Sequence, residues 1–97
     1  MRRAARIDEN QPEIVKHLQS LGMSVCQLHT VGQGVPDLLV GFRGRNVLLE
    51  IKNPKQDPCK RRLTKDEGDW HTKWTGQVDV VQTKEEAERV VILRCSQ

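Results

Sequence analysis

Apolar residues near the start of the chain recur at helical spacing. Ile14, Val15, Leu18 and Leu21 form one stripe, with a capping-box-like start at Asn10 and Glu13. Pro12 sits in the first turn and Gly22 supplies a stop. A β-like run follows over 24–28, and Gly32 and Gly34 predict a flexible loop over 30–35. The period then changes. Two runs that are apolar at nearly every interior position, 37–42 and 46–52, flank a turn at Arg43-Gly44 and predict a hairpin. Leu38, Leu39, Val40, Val47, Leu48, Leu49 and Ile51 leave no polar face, as in strands covered on both sides.

Residues 53–62 hold Pro54, Pro58 and a run of charged side chains, which predicts an exposed, mobile loop. Thr64 and Glu67 make a second capping box, opening a helix that reaches about Trp74 and stops at Gly76. A strand over 77–82, a short helix capped by Thr83 and Glu86, and a final strand over 90–93 complete the order α-β-β-β-α-β-α-β. The expected fold class is α/β, one domain over 1–97 with a mixed central sheet flanked by helices.

Composition narrows the setting. The chain has 97 residues, 36% hydrophobic and 30% charged, which suits one small globular domain. Its apolar runs are too short for a membrane span. Arg2, Arg3 and Arg6 are not followed by the apolar stretch of a signal peptide, and the expected location is the cytoplasm. Cys26, Cys59 and Cys95 are odd in number and lack CxxC spacing, so reduced thiols are expected rather than disulfides or a zinc site. The net charge of +3 is mild but uneven. Residues 43–65 hold eight of the 16 basic side chains (Arg43, Arg45, Lys52, Lys55, Lys60, Arg61, Arg62, Lys65) against two acids. Such a cluster is a footprint for a polyanion, or else a solvated basic loop.

Two carboxylates stand in the hairpin where apolar residues are expected. If the turn pairs Phe42 with Arg45, Asp37 falls opposite Glu50, and Lys52 shares their face through the strand period of two. A one-residue slip would turn Asp37 away. Opposed carboxylates repel, and a hard divalent cation such as Mg²⁺ resolves the conflict with oxygen ligands, water and substrate phosphate. The cation activates water for phosphodiester hydrolysis, while Lys52 orients or deprotonates the water and offsets phosphate charge. The alternative is a plain salt bridge from Lys52 to Glu50 or Asp37.

The order Val35-Pro36-Asp37, a hairpin, then Glu50-Ile51-Lys52 resembles the PD-(D/E)XK nuclease signature. The stretches Gly34-Val-Pro-Asp-Leu-Leu-Val-Gly41 and Leu48-Leu-Glu-Ile-Lys52, with Leu63-Thr64 and Trp70, resemble the VRR-Nuc branch of that superfamily, over about 7–88. The resemblance implies the restriction-endonuclease-like core and Mg²⁺- or Mn²⁺-dependent DNA cleavage. Asp37, Glu50 and the Ile51 carbonyl would be metal ligands and Lys52 catalytic. A family glutamate on the first helix is matched by Gln11, which would then join the catalytic group. Glu13 or Glu9 could substitute for it, although Glu13 is also explained by capping. The following helix often carries a Gln where Glu67 stands here, either as a capping residue or in the site. By analogy the substrate is branched DNA of the Holliday-junction kind, cut by a homodimer. A nonspecific nickase or restriction-like nuclease, and a non-catalytic DNA-binding module, are the other readings.

Among the remaining residues, His29 precedes the glycine loop and is either a phosphate or proton contact or a surface histidine. His17 and His71 lack partners at ligand spacing and carry no assigned role. Trp70 and Trp74, one turn apart, could stack on bases, but two Trp on a helix face are more commonly core, and the core is the expectation. Lys55, Lys60, Arg61 and Arg62, with Lys65, are the favoured phosphate contacts. Arg43 and Arg45 are further candidate phosphate contacts, at the hairpin end away from the site.

Overall fold

The computed structural model describes residues 8–96; Arg2, Arg3, Arg6 and the start of the family resemblance at Ile7 lie outside them. The elements are α1 (Gln11–Ser20), β1 (Ser24–Gln27), β2 (Leu38–Phe42), β3 (Arg45–Ile51), a 3₁₀ turn (Pro58–Lys60), α2 (Lys65–Lys73), β4 (Val78–Val81) and α3 (Lys84–Arg94). The strands form one mixed sheet in the order β1-β2-β3-β4, antiparallel except for the parallel β3–β4 pair.

The turn sets the register. Arg43 and Gly44 have φ of 55° and 78°, the double positive φ of the tight turn that matches strand twist. Phe42 therefore pairs with Arg45, and Leu38 with Leu49. Odd and even positions of β3 then face opposite ways. Val47, Leu49 and Ile51 join Leu38, Val40 and Val81 on the face that α1 and α3 cover with Ile14, Leu18, Ala87 and Val91. Leu48 and Glu50 point to the other face, where α2 lies. The expectation that both hairpin strands are covered on both sides fits β3, buried from Val47 to Ile51, but not β2, whose Leu39 is 36% exposed. The helix on that face is short and spans only part of the sheet.

Two local expectations are corrected. No final strand forms over 90–93, because that apolar run lies within α3. Ala87, Val91 and Cys95 recur every four residues and bury a helical stripe, a pattern that a short apolar run by itself cannot distinguish from a strand. The first capping box is also absent. Asn10 makes no side-chain cap; its amide donates instead to the Lys52 carbonyl at 3.2 Å and the Gln82 carbonyl at 2.8 Å. Those carbonyls sit just past the ends of β3 and β4, and one long-range amide satisfies both. Glu13 is exposed and pairs with Lys84 at 3.6 Å. The capping boxes at the other two helices do form in part or whole, with Thr64 accepting from Glu67 N and Thr83 from Glu86 N. The loop expected to be exposed over 53–62 contains the 3₁₀ turn, closed by Lys60 N–H to the Asp57 carbonyl at 2.8 Å. The three cysteines are free thiols, and no helix among the described residues is long and apolar enough to cross a membrane.

Candidate active site

The register that pairs Leu38 with Leu49 continues one step to place Asp37 opposite Glu50. Carried one step further, the same register would set Pro36 opposite Ile51. Proline has no N–H, so the ladder bond it would have given to the Ile51 carbonyl is missing. The Ile51 N–H, on the same side of the strand, is taken by Asp37 Oδ2 at 2.7 Å. The sheet therefore stops at Pro36-Asp37, and an aspartate side chain replaces the next rung.

Glu50 is 3% exposed, and its Oε1 is buried with no hydrogen-bond partner among the described residues. Burial, then the Asp37 carboxylate and a hydrogen bond with it, and more weakly Glu67, push the Glu50 carboxyl up to about 10; Lys52 opposes them. Without a cation, burial and the Asp37 carboxylate thus hold Glu50 toward its protonated form.

Lys52, also buried, donates through Nζ to Glu67 Oε1 at 2.7 Å. The same oxygen accepts the Thr64 N–H at 2.8 Å. Glu67 therefore caps α2 and holds Lys52 at once, so the two roles weighed for it are one arrangement. Burial favours the neutral amine of Lys52, but the Glu67 contact and the Glu50 charge outweigh it, and the ammonium is held above its usual range. Glu67 shifts the opposite way: burial raises it, while Lys52 and the Thr64 N–H bring it below the ordinary carboxylate value.

Asp37, Glu50, Ile51 and Lys52 line an open cleft of about 380 Å³, together with Asp8, His29, Thr64, Glu67 and the glycine loop. The loop lies directly on the first turn of α2. A Cβ at Gly34 would fall 2.3 Å from the Asp66 carbonyl oxygen, so only glycine allows this approach. His29 is half-buried with its Nδ1 enclosed and unpartnered among the described residues. Two cleft neighbours were missed in the sequence. Asp8 lines the cleft and raises the Lys52 pKa, although it precedes every periodic segment. His71 sits one helical turn after Glu67, with Nε2 at 3.7 Å from Glu50 Oε1. That nitrogen is likewise buried without a partner, and burial chiefly holds the ring below its ordinary pKa. The i, i+4 spacing of Glu67 and His71 is the signal that could have found it.

Other expected members stand elsewhere. Gln11 is fully buried, but it does not line the cleft, and its amide donates to Gln27 Oε1 at 3.1 Å on β1. Glu13 and Glu9 border a different surface with Lys84. Lys55, Lys60, Arg61 and Arg62 do not line the cleft either. They occupy the segment joining Lys52 to Thr64, with Lys55, Lys60, Arg62 and Lys65 exposed. Arg43 and Arg45 are exposed at the far end of the hairpin, Arg43 stacked on Phe42 at 4.8 Å. The tryptophans are not core residues. Trp74 is 46% exposed, and α2 contains no buried residue.

The donor set suits a hard cation. Among the described residues no three His, Cys, Asp or Glu side chains gather as a metal-ligand cluster, which leaves two opposed carboxylates and the Ile51 carbonyl. Mg²⁺ is commonly held by one or two carboxylates with water and substrate phosphate completing the shell. The unpartnered Glu50 Oε1 and the cost of ionising Glu50 beside Asp37 are what such a cation would relieve. No family model, no curated protein and no solved structure matches the chain.

Proposed function

We propose that the chain is a divalent-metal-dependent DNA nuclease of the PD-(D/E)XK type, resembling its VRR-Nuc branch. One observation carries the reading: Asp37 and Glu50 are opposed at the end of the sheet, with Lys52 beside them in an open cleft. A salt bridge with a purely structural role accounts for it less well, because Lys52 is engaged by Glu67 and leaves Glu50 Oε1 without a hydrogen bond.

In this reading Asp37, Glu50 and the Ile51 carbonyl hold Mg²⁺ or Mn²⁺. When bound, the cation supplies Lewis acidity at the scissile phosphate and a stronger water nucleophile at neutral pH. Asp37 is oriented by its bond to the Ile51 N–H. Lys52, kept charged by Glu67, acts as a hydrogen-bond donor to a non-bridging phosphate oxygen rather than as a proton acceptor. The basic segment 55–62 leads from Lys52 to α2 and supplies phosphate contacts that position DNA without reading its sequence. The substrate in this proposal is branched or otherwise structured DNA, cut by a homodimer with one site per copy.

The test is cleavage of supercoiled plasmid and of a synthetic four-way junction in Mg²⁺, Mn²⁺ or EDTA, with light scattering for the dimer. Metal-dependent cutting, abolished in Lys52→Ala and Glu50→Ala, is expected. Equal cutting by these variants would overturn the mechanism. DNA binding without cleavage in any metal would mark a non-catalytic module.

A further inference from the structure

The proposed active-site face extends past the carboxylates to a second cavity. Leu39 lies two residues beyond Asp37 on β2, and Leu48 two residues before Glu50 on β3, so both share the carboxylates' face. The step is about 7 Å, close to the phosphate repeat of an extended polynucleotide. Leu39 and Leu48 floor a cavity of about 480 Å³, walled by Trp74 and rimmed by Arg45, Asn46 and Gln77. Trp74 stacks on Trp70 with ring centroids 4.7 Å apart and planes 18° apart. Both rings stand outside the hydrophobic core cluster, and Leu39 and Trp74 remain 36% and 46% exposed. An exposed aromatic beside an apolar floor is a surface on which a flat aromatic ligand can stack.

Resting on the nuclease reading, we propose that this cavity receives an unpaired nucleobase about one nucleotide from the scissile phosphate. The substrate is thereby DNA with a single-stranded or splayed segment at the cut. The aromatic wall offers a π-face to any base, the apolar floor excludes water, and the Asn46 side-chain amide meets base edges, while the Gln77 amide is held by the Asn46 carbonyl at 2.8 Å. Arg45, exposed at the turn and lining the cavity, supplies positive charge for the continuing phosphates. This charge favours a nucleotide over a second copy of the chain as the occupant.

Trp70 and Trp74 are the only tryptophans, so intrinsic fluorescence reports this site directly. With Ca²⁺ in place of Mg²⁺, a short oligothymidylate is expected to quench the emission, and a blunt duplex of matched length to leave it nearly unchanged. Trp74→Ala is expected to weaken oligothymidylate binding by about 5- to 150-fold, measured by anisotropy of a labelled strand. Trp74→Phe is expected to keep most of the affinity, and an abasic strand to bind the wild type as weakly as Trp74→Ala binds the normal one. Unchanged affinity in Trp74→Ala, or equal quenching by duplex and single strand, overturns the proposal. So does a change from dimer to monomer in Trp74→Ala without DNA, which would assign the face to a second copy. If those results accompany intact metal-dependent cleavage, only this inference fails. If the wild type neither binds nor cuts any nucleic acid, the nuclease reading fails with it.

Discussion

Asp37 Oδ2 accepts the Ile51 N–H at 2.7 Å, so a proposed metal-binding carboxylate also closes the sheet where its ladder ends. The two roles separate by substitution. Asp37→Asn retains an oxygen acceptor for the amide and removes the charge beside Glu50. Its melting temperature in EDTA is expected to equal or exceed the wild type's, with cleavage abolished. Asp37→Ala leaves the Ile51 amide without its acceptor and is expected to cost about 1–3 kcal/mol. Thermal denaturation of the two variants side by side checks this.

Glu50 makes stability depend on pH in a defined direction. Its carboxyl is raised from 4.5 to about 10 in the fold, so between those values the folded chain binds more protons than the unfolded one. The stabilisation is fully present below the lower value and is lost as pH rises toward the upper. In EDTA the melting temperature is therefore expected to fall between about pH 5 and pH 9. Glu50→Gln removes the ionisation, flattens this profile and raises the midpoint at pH 8 by at least about 4 °C, the equivalent of roughly 1 kcal/mol. Mg²⁺ added to the wild type is expected to release protons, which calorimetry in buffers of different ionisation enthalpy measures.

His71 faces Glu50 across 3.7 Å, with both facing atoms buried and unpartnered among the described residues. In the nuclease reading His71 steadies the carboxylate from outside the cleft, which it does not line. His71→Leu is expected to weaken Mn²⁺ binding by about 10- to 100-fold. His71→Gln, which can still donate, restores most of it. Titration calorimetry with Mn²⁺ reads both variants; equal weakening in the two would mean that His71 serves packing alone.

Glu67 is shared between Thr64 and Lys52. Glu67→Gln retains an oxygen for the capping box and is expected to melt within a few degrees of the wild type while losing the charge that holds Lys52. Glu67→Ala loses the reciprocal cap as well, at about 1 kcal/mol. Cleavage by both variants should fall together, whereas their melting temperatures should not.

The basic segment has a signature in salt. Neutralising Lys60, Arg61 or Arg62 is expected to flatten the slope of log affinity against log salt by about 0.9 for every duplex phosphate that the side chain had neutralised. Filter binding over a salt series, with singly and doubly substituted chains, measures how many phosphates the segment engages.

The hairpin and its chemistry were legible because they rest on local rules. The Arg43-Gly44 turn fixes the pairing of Phe42 with Arg45, and a strand period of two then carries Asp37 to Glu50 and Lys52 to the same face. The Thr64–Glu67 cap was legible for the same reason, being an interaction between residues three apart.

Where a side chain had two uses, local pattern could not choose. Asn10 and Glu13 have capping-box spacing, yet Asn10 bonds to Lys52 and Gln82, 42 and 72 residues away. The run from Val90 to Leu93 is helical because Ala87, Val91 and Cys95 bury a common stripe against the sheet. Trp70 and Trp74 have core spacing, but α2 covers too little of the sheet to bury them.

By itself, then, the sequence determined the α/β class, the hairpin register and the shared face of Asp37, Glu50 and Lys52, since turn chemistry and strand periodicity act between near neighbours. Only the tertiary structure decided what surrounds that face. Glu67 and His71 reach it because α2 packs along β3, Asp8 enters the cleft, and Gln11 turns to Gln27 instead. Those arrangements depend on how helices dock against the sheet, where small differences in burial and hydrogen bonding outweigh any preference written in local spacing.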